Sequence, residues 1–173
     1  PYCESLCTYC GCNTRITVNH AVEKPYIDSV LTEWKLYRAL FNEAPRIREL
    51  HLGGGTPTFF SPDNLKRLVD GLLDGSKVMR DAEMSFEGHP NNTTAEHLRV
   101  LYDLGFRRVS YGIQDFDPKV QEIIHRLQPF ENVERAFHEA REVGFTSINA
   151  DLVFGLPFQT PETMRRTIEL TNE

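Results

Sequence analysis

Two periods of apolar residues alternate along this chain. Tyr26, Ile27, Val30, Leu31, Trp34 and Leu40 keep a helical spacing, which predicts a helix over 26–43. Ser61-Pro62 reads as an N-cap followed by the first helical residue, opening a helix that carries Leu65, Leu68, Val69 and Leu72. Thr93 with Glu96 resembles a capping box ahead of Leu98, Leu101 and Leu104, and Gly105 closes that helix. Further helices are expected over 117–127 and over 130–143, the second stopping at Gly144, and Thr160-Pro161-Glu162 begins the last. Four short segments between them follow a period of two instead. Leu50 and Leu52 interleave with His51 and Gly53; Met84 and Phe86 with Ser85 and Glu87. Val109, Tyr111 and Ile113 interleave with Ser110, Gly112 and Gln114; Ile148, Ala150 and Leu152 with Asn149 and Asp151.

Strands that alternate with helices argue for a parallel sheet. A parallel sheet buried on both faces reads as nearly continuous apolar runs. These strands have one apolar face, suited to covering helices, and one polar face. A complete eightfold barrel takes about 250 residues and fills its interior with branched apolar side chains. This chain has 173 residues, four full strands and the end of another before the first cysteine. The fold class it predicts is α/β: a partial, open (β/α) barrel with a polar inner wall, truncated at both ends. One domain over 1–173 is expected, and a first residue Pro1 rather than Met adds the expectation of a fragment.

Composition narrows the function classes. Lys and Arg number 19 against 25 Asp and Glu, a net charge of −6, with 40 % hydrophobic residues, 11 Gly and 10 Pro. That is globular composition; it excludes collagen, low-complexity disorder and a basic nucleic-acid module. No apolar run approaches the roughly 20 residues of a membrane span. No secretory signal is evident either, so the sequon-like Asn91-Asn92-Thr93-Thr94 is discounted. A cytoplasmic monomer with no nucleic-acid or membrane partner is expected, although one cationic cleft could still hold an anionic ligand.

All four cysteines fall within ten residues, as Cys3-x3-Cys7-x2-Cys10-x-Cys12. Disulfides gain most by closing long loops, so this crowding makes a poor staple and a better metal site. Zinc sites usually divide their ligands between two separated pairs, and no second pair exists here. Three thiolates on one short loop suit an iron–sulfur cluster better. A cubane held by three protein ligands keeps one iron open to a substrate or cofactor. Cys12 sits too close to Cys10 to complete the cubane; it is either a spectator thiol or a thiol near the chemistry.

Other candidates gather at strand ends. Gly53-Gly54-Gly55-Thr56-Pro57 follows a strand and brings backbone close to a ligand, without the pattern of a phosphate loop or dinucleotide fingerprint. Glu87, Gln114 and Asp151 share a position on the polar face near the carboxyl ends of their strands, where barrel active sites form. Arg126 reads either as a cap for the carboxyl end of its helix or as a clamp for a ligand carboxylate. Tyr9 either stacks on a purine or shields the metal. His89 and His125 read as packing or surface histidines, and Asp115-Phe116-Asp117-Pro118 as a turn into a helix.

The cysteine spacing followed by the glycine-rich turn resembles the radical S-adenosylmethionine superfamily. Within it, Cys12, Gly53-Gly54-Gly55-Thr56-Pro57, Gly112-Ile113-Gln114-Asp115-Phe116 and Asp151-Leu152-Val153-Phe154-Gly155-Leu156-Pro157 resemble the oxygen-independent coproporphyrinogen III oxidase (dehydrogenase) family of haem biosynthesis. The likeness runs over essentially the whole chain. It implies that Cys3, Cys7 and Cys10 hold a 4Fe–4S cluster whose open iron takes S-adenosyl-L-methionine. It also implies that Gly54, Gly55, Thr56, Glu87, Gln114, Arg126 and Asp151 contact that cofactor with Tyr9 beside it, not all of them touching one molecule since the family accommodates two, and that Cys12 is the catalytic residue. The implied reaction begins with one electron from a small flavodoxin- or ferredoxin-type donor. A 5′-deoxyadenosyl radical then removes hydrogen from a propionate β-carbon of coproporphyrinogen III. Loss of CO₂ and an electron leaves a vinyl group, and repetition on a second propionate gives protoporphyrinogen IX. Gly88-His89-Pro90 departs from the pattern, since better-known members carry an Asp before this Pro. A non-enzymatic haem chaperone of the same superfamily is the rival reading; it typically lacks the cysteine at the Cys12 position.

Overall fold

The computed structural model describes residues 1–172. Two short strands, β1 (Tyr2–Cys3) and β2 (Arg15–Ile16), pair in parallel and bracket the cysteine loop. There follow α1 (Glu23–Arg38), β3 (Arg46–Leu52), α2 (Pro62–Leu73), β4 (Lys77–Gly88), α3 (Ala95–Asp103) and β5 (Arg108–Gln114). The chain continues through α4 (Pro118–Ile123), α5 (Phe130–Val143), β6 (Ser147–Leu152) and α6 (Pro161–Asn172). Strands β3, β4, β5 and β6 form one parallel sheet in chain order. The expected four full strands are therefore present, and the expected strand end before the cysteines is β1. It pairs with β2 and lies outside the four-stranded ladder. No helix among the described residues is long and apolar enough to cross a membrane.

Helices cover one face of the sheet only. Ile27 of α1, Leu65 and Val69 of α2, and Leu98 and Leu101 of α3 are fully buried against Phe86, Val109 and Tyr111 of the central strands. Ala136 and Ala140 of α5 extend the same core. The opposite face carries the polar partners of the alternation, with Glu87 and Asp151 exposed and Ser85, Ser110 and Gly112 half-buried. Parallel sheets are normally covered on both faces; here the side left open is the one that could receive a ligand.

Local chemistry explains where the elements begin and end, including three departures from expectation. Helix α1 starts at Glu23 and ends at Arg38, earlier at both ends than the predicted 26–43. The Asn19 side chain caps a 3-10 turn over His20–Val22 that runs straight into the helix, and Pro25 falls in the first turn, where a missing N–H costs nothing. Leu40 lies beyond the helix and is 80 % exposed, so it contributes nothing to the core. The cap of α3 is Thr94, one residue later than expected, with His97 rather than Glu96 as its reciprocal partner. Thr93 is instead buried, its hydroxyl donating to the His89 carbonyl. Helix α4 stops at Ile123, short of the predicted 127, because His125 adopts φ +55. Helices α2 and α5 match their predicted capping by Ser61 and termination at Gly144, whose φ is +111.

His97 is buried with both ring nitrogens engaged. Nε2 lies 2.8 Å from the Phe60 carbonyl and must donate to it, which leaves Nδ1 to accept from the Thr94 hydroxyl at 2.7 Å. The ring is thus held neutral, and burial lowers its pKa below the usual 6.5. A base whose folded pKa is depressed stabilises the fold above its unfolded pKa, and that contribution is lost as pH falls below it. Replacing His97 with Gln is expected to destabilise the protein at about pH 7.5 and to do so less at about pH 5, measured as the difference in unfolding free energy from denaturant titrations. Phe86→Ala, at a fully buried central position, is expected to cost about 3–5 kcal/mol in the same assay.

Candidate functional site

Backbone bonds close the neck of the cysteine loop and anchor its tip to α4. The Arg15 amide donates to the Pro1 carbonyl at 2.7 Å and the Thr17 amide to that of Cys3 at 2.9 Å, which closes the loop's neck. Its tip is anchored by Thr8, whose amide donates to the Ile124 carbonyl at 3.1 Å and whose hydroxyl donates to Ile123 at 3.2 Å. Helix α4 thus offers its unpaired terminal carbonyls to the loop. Tyr9 packs on Val120, Ile124 and Leu156, and burial raises its hydroxyl pKa to about 12. Its phenol therefore stays protonated and its ring braces the loop.

The glycine-rich turn after β3 meets the same loop. The Thr56 amide donates to the Tyr2 carbonyl at 2.9 Å, and the Thr56 hydroxyl lies 3.3 Å from Cys3 Sγ. Gly55 has φ +51, and a Cβ there would come within 3.0 Å of the Tyr2 backbone. Glycine is needed at this position on both counts. Gly54, at φ +68, turns its amide to Glu87 Oε2 at 3.0 Å.

These pieces line an open cleft of about 240 Å³ at the carboxyl ends of the strands. Cys3, Cys7, Cys10 and Cys12 line one side, and Glu87, Gln114 and Asp151 the sheet side. Gly55, Thr56, Tyr9 and Arg126 complete the wall. All the candidates from the sequence thus meet in one place, with Gly54 reaching it through Glu87. The cysteines are all free thiols, with Cys10 and Cys12 exposed. The Cys12 thiol is pushed above its ordinary pKa, chiefly by its hydrogen bond to Cys10.

Arg126 does not cap a helix. With His125 in the left-handed region, the chain leaves α4 abruptly, and the Arg126 amide bonds back to the Gln121 carbonyl at 2.9 Å. The side chain turns into the cleft, where Nη2 donates to the Gly112 carbonyl at 2.6 Å and Nη1 approaches Cys7 Sγ at 3.6 Å. Its Nε is buried without a partner. Gly112 makes this path possible, since a Cβ there would lie 2.5 Å from Gln114 Nε2 and 2.9 Å from Arg126 Nη2. Gln114 itself sits at φ +70, where the β5–β6 register shifts. A left-handed, non-glycine backbone beside a cleft is the kind of strain that functional sites retain.

Three further residues belong to the wall. Ser110 donates to Asp151 Oδ2 at 2.7 Å and so orients that carboxylate. Gly112 clears the way for Arg126. His89, read from sequence as a packing histidine, lines the cleft; burial and the neighbouring Arg126 lower its pKa to about 3, so the ring is neutral. Ser110 and Gly112 share the polar phase of β5 with Gln114, which was the available signal.

Among the described residues, no three His, Cys, Asp or Glu side chains converge on a single-ion position. A cubane cluster spreads its thiolates over different irons, so ligands ranged along one wall of a cleft fit it. Arg126, which lines the same cleft, also carries an unpartnered buried donor, Nε.

A family model described as the radical SAM superfamily matches residues 1–171. An oxygen-independent coproporphyrinogen III oxidase of Helicobacter pylori is 41 % identical over 170 residues, covering 98 % of this chain and 37 % of that protein. The enzyme of the same name from Escherichia coli is 38 % identical over 174 residues, covering 98 % and 38 %. The solved structure of a coproporphyrinogen III oxidase from Escherichia coli, described as a radical SAM enzyme, superposes with a TM-score of 0.92 at 37 % identity, over 99 % of this chain and 39 % of that one. A radical S-adenosylmethionine methyltransferase from Kitasatospora setae, solved with cobalamin and a 4Fe–4S cluster, shares the fold with a TM-score of 0.59 at 21 % identity, over 84 % and 28 %. The chain spans less than two-fifths of the length of these curated relatives.

Gly55→Ala is expected to lower the unfolding free energy by about 1–3 kcal/mol, through left-handed strain and overpacking against Tyr2. Denaturant titration measures it, and unchanged stability would mean that the turn and the cysteine strand are not in contact.

Proposed function

The chain belongs to the radical SAM superfamily, and from that premise we propose that it is the cofactor-binding part of an oxygen-independent coproporphyrinogen III oxidase. The reaction is the oxidative decarboxylation of two propionate side chains of coproporphyrinogen III to vinyl groups, giving protoporphyrinogen IX without oxygen. One observation carries this reading. Three cysteines of a Cys-x3-Cys-x2-Cys loop share a single cleft with Glu87, Gln114, Arg126 and Asp151. The likeness to the Escherichia coli enzyme over nearly the entire chain supports the choice of substrate.

Cys3, Cys7 and Cys10 are the ligands of a 4Fe–4S cluster in this reading. When bound, that cluster supplies the electron that opens the sulfonium carbon–sulfur bond of S-adenosylmethionine, and the carbon radical so released removes hydrogen from the substrate. The protein's part is positioning and electrostatics. The carbonyls of Gly54 and Gly55 would accept from the methionyl amine, the guanidinium of Arg126 would donate to its carboxylate, and Asp151, oriented by Ser110, would accept from the ribose hydroxyls. Glu87 and Gln114 supply further acceptors along the wall, and the aromatic ring of Tyr9 screens the loop from water. The electron comes from a small flavodoxin- or ferredoxin-type protein.

Anaerobic reconstitution with iron and sulfide tests the reading. Electron paramagnetic resonance of the reduced protein is expected to give a cubane signal that shifts on adding S-adenosylmethionine. Cys3→Ser, Cys7→Ser and Cys10→Ser are each expected to lose the signal, while Cys12→Ser retains it. Zinc without iron or sulfide would end the cluster assignment. Stoichiometric haem binding by the full chain with no decarboxylation would replace the enzyme with a haem chaperone.

A further inference from the structure

The polar face of β3 carries a histidine that lies one residue behind the cleft. His51 is paired in register with Ser85 of β4, and its Nδ1 lies 2.8 Å from the Ser85 hydroxyl. On its other side, Nε2 faces Glu87 Oε1 at 3.5 Å. The second carboxylate oxygen, Oε2, accepts from the Gly54 amide at 3.0 Å. A proton on Nε2 is favoured by the carboxylate opposite, which assigns the Ser85 hydroxyl as donor to Nδ1. Glu87 thus has an imidazole 3.5 Å from one oxygen and a backbone amide bonded to the other.

The space for this arrangement is made by Gly53. A Cβ at that position would come within 2.6 Å of His51 Nε2 and 3.0 Å of Glu87 Oε1. Unlike Gly54 and Gly55, Gly53 does not adopt a positive φ. A side chain there would displace the ends of His51 and Glu87 from their observed positions. The first glycine of the turn serves the histidine and the carboxylate, while the second and third serve the chain direction.

We propose that His51 is a positioning residue of the cleft. Backed by Ser85 and admitted by Gly53, it fixes the Glu87 carboxylate against the Gly54 amide, in the orientation that meets the cationic end of S-adenosylmethionine. The proposal rests on the cofactor reading of the cleft given above. His51 does not itself line the cleft and acts only through Glu87. The two side chains are about half exposed, at 54 % and 48 %. A contact so placed adds little to folding stability, so its effect is read in ligand affinity and in the local backbone.

Two readouts on the full chain test this. In the reconstituted protein, the S-adenosylmethionine concentration needed to shift the cluster signal is expected to rise about tenfold in His51→Ala, where Glu87 loses the imidazole beside it. Iron content and melting temperature stay at wild-type values. His51→Gln, which keeps a donor near the Nε2 position, restores most of the affinity. Gly53→Ala weakens binding similarly in the wild type but adds little in the His51→Ala background, where the clash is relieved. The second readout needs no cofactor: hydrogen exchange at the Gly54 amide quickens in His51→Ala of the apo protein. Unchanged affinity together with unchanged Gly54 exchange would overturn the proposal. If the wild-type signal ignores S-adenosylmethionine altogether, the cofactor reading fails, and Gly54 exchange alone decides whether His51 holds Glu87.

Discussion

The site depends on one close approach between two backbones. The sheet and the cysteine loop are separate constructions, since β1 pairs with β2 and not with the four-stranded ladder. They are joined where Gly55 lies against Tyr2 and the Thr56 amide donates to the Tyr2 carbonyl. A side chain at residue 55 would push the two apart. With that contact in place, three thiols stand opposite a wall of carboxylates, amides and a guanidinium; without it, the loop is held only at its tip, through Thr8, Tyr9 and Arg126.

The second constraint is the one-sided covering of the sheet. Each strand sends alternate residues into the helical layer, so its remaining residues are left on the inner wall at intervals set by the pleat. In-register pairing then aligns them across strands, as with His51 and Ser85, or Glu87 and Ser110. The wall is consequently a grid of polar groups whose spacing is fixed by the backbone. Neighbours on that grid orient one another, as Ser110 does Asp151. Rigid strands make such positions more reproducible than loops would.

Much of this was legible in the sequence, because the period-two alternation separates wall from core residue by residue. Glu87, Gln114 and Asp151 were identifiable from their phase, and the cysteines from their spacing. What was not legible depends on chain reversals that periodicity does not encode. Arg126 looked like the last residue of a helix; the left-handed turn at His125, made without a glycine, sends it into the cleft instead. Leu40 kept the helical period yet lies outside α1. Thr93 and Thr94 offer nearly equivalent caps, and the choice between them is made by burial of Thr93 beneath the His89 carbonyl. His89 itself could be assigned to the cleft only once the loop after β4 was seen to pass beside Arg126.

The anchoring of the cysteine loop also bears on the order in which the protein is assembled. Its tip is held by the two Thr8 bonds to the end of α4 and by the packing of Tyr9 on a small cluster of Val120, Ile124 and Leu156, apart from the main core on which Tyr2 packs. The tip can therefore detach as a local unit at a fraction of the cost of unfolding the domain. Iron and sulfide need no unfolded chain to reach their thiols: the sheet and its helices can finish folding first, and the metal-binding segment closes last over a preformed wall.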